Sequence, residues 1–157
     1  MSIDNDLYLA VAASLDDVKA VLLNALDVED VPDSETADGE PMKRLNSETT
    51  LIFILESSGW CDCTERLGIV PTIDVSFIYH NYTDLEPFSR NTIIGTMALL
   101  HAFEGDAMLY FDTDLPALVR RSGELVLLNQ HRGWNDRYDP PTLTHVDLPY
   151  TWRVTRP

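Results

Sequence analysis

Over Pro71–Asn81 the chain reads PTIDVSFIYHN. Its residues alternate at nearly every step, with Ile73, Val75, Phe77 and Tyr79 on one side and Asp74, Ser76, Ile78 and His80 on the other. A period of two marks a half-buried strand, because successive side chains leave a strand on opposite faces. The segment therefore demands a sheet with a packed face, and other segments supply its neighbours. DLYLAVAAS sets Leu7, Leu9 and Val11 against Asp6, Tyr8 and Ala10. SETTLIFILES, residues 47–57, is apolar on both faces, which predicts a central position in the sheet. DAMLYFD, LPALVRR and ELVLLNQ read as three further short strands, the last two joined by a hairpin turn at Ser122–Gly123. YTWRV near the end reads as a final edge strand.

Two stretches change period. Ser14 suits a helix N-cap with Asp17 three residues on, and Leu15, Val18, Val21, Leu22, Ala25 and Leu26 then form one stripe at spacings of three and four. The second helix is predicted over LEPFSRNTIIGTMALLHAFEGD, with Pro87 in its first turn, Gly105 as its stop, and Ile93, Ile94, Met97, Leu100 and His101 on one flank. The resulting order, β-α-β-β-α-β-β-β, lacks a repeated strand–helix alternation. It predicts an α+β fold: a single antiparallel-rich sheet of five to seven strands with two helices packed on one face. At 157 residues the chain is expected to be one globular domain over 1–157, able to bury a core without disulfide or metal support.

Charge narrows the function classes. Twenty-six acids against eleven bases leave a net charge of −15, which opposes binding to nucleic acid or an anionic membrane and favours a basic partner. The acids are concentrated: residues 1–56 hold thirteen with three bases, whereas 57–157 hold thirteen with eight. In Asp27–Glu40 half the residues are carboxylates, namely Asp27, Glu29, Asp30, Asp33, Glu35, Asp38 and Glu40, with no base among them. Pro32, Gly39 and Pro41 and the lack of periodicity predict an acidic loop at 27–46. A solvated linker and a docking surface both fit that composition. No apolar run approaches membrane-spanning length, and Asp4 and Asp6 stand where a signal peptide would carry Lys or Arg, so a soluble cytoplasmic chain is expected.

The search for chemistry is mostly one of exclusion. Phosphate-binding glycine loops, G-x-S-x-G and H-E-x-x-H are absent from the sequence. Cys61 and Cys63 stand in SSGWCDCTERLG beside Glu56, Asp62 and Glu65, carboxylates that disfavour a thiolate, with Arg66 opposing them. No matching pair among His80, His101, His131 and His145 completes a zinc site with these cysteines. DSETADGE misses the calcium-loop spacing. No catalytic residue, metal or cofactor is therefore assigned, and the cysteine segment reads as a strand-to-strand connection whose thiols stay reduced. Trp60, Trp134 and Trp152, with Tyr79, Tyr82, Tyr138 and Tyr150, fall at strand ends or in loops, where they either close the core or offer a binding surface.

One longer region has a family character. RNTIIGTMALLHAFEGDAMLYFDTDLPALVRRSGELVLLN, Arg90–Asn129, followed by Trp134 and LPYTWRV, resembles immunity proteins of bacterial swarming-inhibition toxin systems. The matching features are Arg90–Asn91, Gly105–Asp106, Arg120–Arg121 and Gly123–Asn129, so the likeness covers roughly the C-terminal half. It implies a non-enzymatic cytoplasmic inhibitor that binds a cognate toxin, expected to be basic. The acidic segment Asp27–Glu40 is the expected contact surface, with Trp60 second. The alternatives are an acidic adaptor for another basic protein, including a mimic of nucleic-acid charge, and a small hydrolase using Cys61 or a histidine.

Overall fold

The computed structural model describes residues 3–80, 84–128, 134 and 142–153. β1 (Asp4–Val11) leads into α1 (Leu15–Ala25), followed by β2 (Glu29–Glu35), β3 (Pro41–Asn46) and β4 (Thr50–Glu56). A short α2 (Asp62–Leu67) precedes β5 (Ile73–Tyr79), then α3 (Leu85–Ala102) and the strands β6 (Gly105–Phe111), β7 (Leu115–Arg121) and β8 (Glu124–Leu128). A 3-10 turn, Thr142–His145, comes before β9 (Thr151–Arg153). Among the described residues these are nine strands and three α-helices. The strands form one sheet in the order β2-β3-β4-β5-β1-β6-β7-β8-β9, antiparallel throughout except for the parallel pair β8–β9.

The α+β class and the antiparallel character match the expectation, while the strand count exceeds it. The difference lies in the segment 27–46, which is not a loop: β2 and β3 pair as a hairpin that adds two strands at one edge. β2 escapes a periodicity test because EDVPDSE has no apolar alternation to detect. It is held by backbone pairing to β3, with a register shift between Val31 and Ser34 that accommodates Pro32. An edge strand this rich in acids and broken by proline is also poorly suited to pairing with another copy of itself.

The first sheet face carries the main core. Leu7, Leu9, Ile52, Ile54, Val75 and Phe77 are fully buried there beneath α1 and α3. Ser14 caps α1 with a reciprocal box: its hydroxyl accepts from Asp17 N–H at 3.1 Å, and the Asp17 carboxylate accepts from Ser14 N–H at 3.1 Å. Gly95 lets α3 approach closely, since a Cβ there would lie 3.1 Å from both Leu22 and Phe77. Trp134 is buried in this core as well, donating to the Ala117 carbonyl at 2.9 Å, so it closes the core instead of forming a surface.

The second face is covered unevenly. The connection after β4 contains α2, which corrects the picture of a plain strand-to-strand loop and of helices on one face alone. Cys61, Cys63 and Ile69 pack against Met108, Tyr110, Val119 and Val126, burying the β6–β8 half of this face. Over β3, β4, β5 and β1 the same face is half-buried at Met42, Arg44, Leu51, Phe53, Leu55, Asp74, Ile78 and Asp6. The apolar residues on both sides of β4 did place it inside the sheet, but one of its two faces has no cover among the described residues.

Candidate functional site

The acidic hairpin is tied to the body through the chain's two lysines. Lys19, buried on α1, pairs with Asp30, reaches Asp33 at 3.4 Å and donates to the Val31 carbonyl at 3.3 Å. Lys43 on β3 bridges Asp33 at 2.5 Å and Asp16 of α1 at 2.9 Å. The Lys43 hydrogen bond, with help from Lys19, holds the Asp33 carboxyl below its usual value, and the same contact raises Lys43. Asp30 and Asp33 are thus spent on internal ion pairs. Asp27, Glu29, Glu35, Asp38 and Glu40 are exposed, with no ion pair among the described residues.

Register brings two of the expected contact segments to one end of the sheet. Met42 pairs with Leu55 and Pro41 with Glu35, so the hairpin tip at 36–40 extends past the end where β4 finishes at Glu56. There the chain turns through Trp60, 54% exposed, into α2. A cleft of about 520 Å³ lies at this end between the β1–α1 turn and the Glu56–Gly59 segment. α2 itself is fixed by Thr64, whose hydroxyl accepts from Cys61 N–H at 3.1 Å and donates to the Ile69 carbonyl at 2.6 Å. Cys61 and Cys63 are both buried and are joined as a disulfide, with their Cα atoms 5.0 Å apart, instead of standing as the expected free thiols.

The open half of the second face holds a constellation that the sequence reading did not single out. Asp6 stands opposite Ser76 across β1–β5 and accepts its hydroxyl at 2.9 Å, while Asp74 stands opposite Tyr8. Burial raises the Asp6 carboxyl, the Ser76 hydrogen bond partly offsets this, and Asp4 adds to the rise. Asp74 is likewise raised by burial, against a hydrogen bond from Ser57, and its Oδ1 is buried without a hydrogen-bond partner among the described residues. Tyr8, edge-on to Tyr110, is pushed up to about 12 by burial, then by the nearby carboxylates Asp6, Asp74 and Asp62. The alternation of β1 and β5 placed these acids opposite the packed face. What no single strand shows is that pairing sets them diagonally across β1 and β5, with Asp6 opposite Ser76 and Asp74 opposite Tyr8.

Other candidate residues are dispersed. His101, expected on an apolar flank, is exposed and meets Asp147 at 3.1 Å. His80 lies beside Asp27, Glu29 and Glu48 in a shallow cleft. Tyr79 is buried, Trp152 half-buried and Tyr150 exposed, whereas His131, Tyr82 and Tyr138 lie outside the described residues. Among the described residues, no three His, Cys, Asp or Glu side chains are grouped to hold a metal ion, and no helix is long and apolar enough to cross a membrane.

The segments that carried the family likeness prove to be framework. Arg120 is buried and donates to the carbonyls of Leu100, Phe103 and Gly105 at 2.6–2.7 Å, closing the end of α3. Asn91 donates to the Thr50 hydroxyl at 3.0 Å, and Asp106 accepts from Ser122 N–H at 3.1 Å in the β7–β8 turn. The profile of the SitI3-like family matches residues 3–138, well beyond the C-terminal half. The chain belongs to the SitI3-like family. SitI family members are toxin immunity proteins. No curated protein matches the chain, and no solved structure does.

Proposed function

We propose that this SitI3-like chain is an immunity protein that binds a cognate bacterial toxin domain and neutralises it stoichiometrically, without chemistry of its own, in the cytoplasm. The family match over residues 3–138 carries this reading. The acid excess supports a basic toxin: a net charge of −15 raises the encounter rate with a cationic partner. Five exposed carboxylates of the edge hairpin, Asp27, Glu29, Glu35, Asp38 and Glu40, steer that encounter, and Trp60, at the sheet end that the hairpin tip reaches, offers an aromatic contact. Asp30 and Asp33 of the same segment contribute less, because Lys19 and Lys43 already neutralise them.

Co-expression tests the reading. The chain, produced together with the toxic domain encoded beside its own gene, is expected to restore growth and to co-purify with that domain in a fixed ratio. Growth arrest despite equal expression would overturn the immunity role.

A further inference from the structure

We propose that the open half of the second sheet face is the toxin-docking floor: it receives a basic segment whose Lys or Arg enters between Asp6 and Asp74, with apolar flanks laid on Leu51, Phe53 and Leu55. The proposal rests on the immunity reading and adds its surface and its recognition chemistry.

The first observation is the uneven cover. β4 and β5 are interior strands whose first face is fully buried, yet Leu51, Phe53, Leu55 and Ile78 on the second face stay only half-buried beside the part sealed by α2. Half-buried aliphatic and aromatic side chains grouped on a rigid sheet form the kind of apolar floor that interfaces use. The second observation is what stands next to that floor. Pairing of Phe53 with Ser76, Ser76 with Asp6, and Leu55 with Asp74 puts an apolar column directly against an acidic one. Carboxylates on interior strands cost stability, since partial burial removes solvation and only the hydroxyls of Ser76 and Ser57 answer them. The orphaned Asp74 Oδ1 deepens that cost. An arriving cation offsets it by pairing with the solvent-facing part of these carboxylates.

Charge selects the occupant. A second copy would set Asp6 and Asp74 against their own equivalents, on chains that each carry −15, and a nucleic acid would bring phosphates to the same place. Arg44, opposite Phe53, already brings one cation to the β3 side of this face, so the complementary occupant is a protein segment that sets its own cation at the β1–β5 side. The hairpin then acts at long range and the floor at contact, two roles that kinetics separates: peripheral charges alter association, whereas desolvated contacts alter dissociation.

The test measures binding of the purified full chain to the purified toxin domain encoded beside its gene. Asp6→Asn with Asp74→Asn keeps the shape of both side chains and removes a buried charge cost, so this variant is expected to fold at least as stably as the parent. Its affinity should fall on the order of tenfold or more, through faster dissociation. Phe53→Ser should weaken binding in the same way, and Asp38→Asn with Glu40→Asn should chiefly slow association. If the floor variants bind within about twofold of the parent while the parent binds tightly, the docking surface is wrong and the immunity reading stands. If the floor variants instead abolish a self-association seen by sedimentation, a second copy is the occupant and the basic-segment proposal falls. If the parent neither binds nor protects, the immunity reading falls and takes this inference with it.

Discussion

Arg120 Nη1 donates to the carbonyl of Leu100 at 2.6 Å, so a strand residue closes the C-terminal end of a helix that lies across the sheet. Nε and Nη2 extend the same cap to Gly105 and Phe103. Burial lowers the guanidinium pKa, and the nearby carboxylates of Asp106 and Glu104 oppose that fall. Replacing Arg120 by Leu leaves three carbonyls unanswered and should destabilise the fold by about 3 kcal/mol. Arg120→Lys keeps the charge but loses the planar fork, and should recover only part of the loss. Arg121, half-exposed and 3.7 Å from Asp106, provides the contrast: Arg121→Ala should stay within roughly 0.5 kcal/mol of the parent. Denaturant melts of the three variants check the ranking.

Gly105 is constrained by contact as well as by conformation. It adopts φ +134°, and a Cβ there would lie 2.1 Å from the Ala10 carbonyl oxygen, a backbone atom that cannot swing aside. Gly105→Ala must part β1 from β6 and is expected to cost about 3 kcal/mol or more. Gly39, at φ +80° in the hairpin tip, has open space around its missing Cβ, so Gly39→Ala should cost only about 1 kcal/mol. Comparing the thermal midpoints of the two variants measures the difference between a close approach and a turn preference.

Turns and glycines show part of what the sequence made legible. Ser122–Gly123 was readable as a hairpin turn, which the structure forms with both residues at positive φ, whereas the expected helix stop at Gly105 falls at Ala102 with Phe103 as C-cap, and Gly105 opens β6. Ser14, α1, α3 and the strands with clear alternation were readable because each pattern is local. β2 was not, since its acids and Pro32 give no periodic signal and its pairing depends on β3 and Lys19. α2 is six residues long, too short for a helical stripe, and its place is set by Cys61 and Cys63 packing on strands more than forty residues away. For the candidate site, the excess of acid was plain, but the neighbourhood of Asp6 and Asp74 exists only once β1 and β5 are aligned.

Lys19 is the main tether between α1 and the edge hairpin. Lys19→Met keeps a long side chain at this buried position while removing the pairs to Asp30 and Asp33 and the bond to Val31. Because both carboxylates are at least half-exposed, the expected loss is small, about 1 kcal/mol. The local effect should be larger than the global one. Hydrogen exchange at β2 amides should accelerate, while β1 and β5 stay protected, since an edge strand opens independently of the central sheet. Equal acceleration in all three strands would contradict the tether.

The pH dependence of stability follows from Asp6 and Asp74. Both have folded-state values raised above 3.8 by burial, facing Asp4, Tyr8 and each other, with Ser76 and Ser57 partly compensating. Below about 3.8 the two carboxyls are protonated whether the chain is folded or not, and they impose no cost. As pH rises from there through their folded values, the unfolded chain releases protons more readily than the native one, so stability falls; above the folded values the cost is complete and constant. The double variant Asp6→Asn, Asp74→Asn should therefore match the parent near the acid end and exceed it increasingly toward neutral pH. It should also bring the Tyr8 phenol down from about 12, because two of the charges that oppose its ionisation are gone. Chemical melts between acid and neutral pH measure the first effect, and ultraviolet titration of the phenol measures the second. A stability difference that does not change with pH would show that the two carboxylates are solvated in the native state, and that the floor they occupy is open to water.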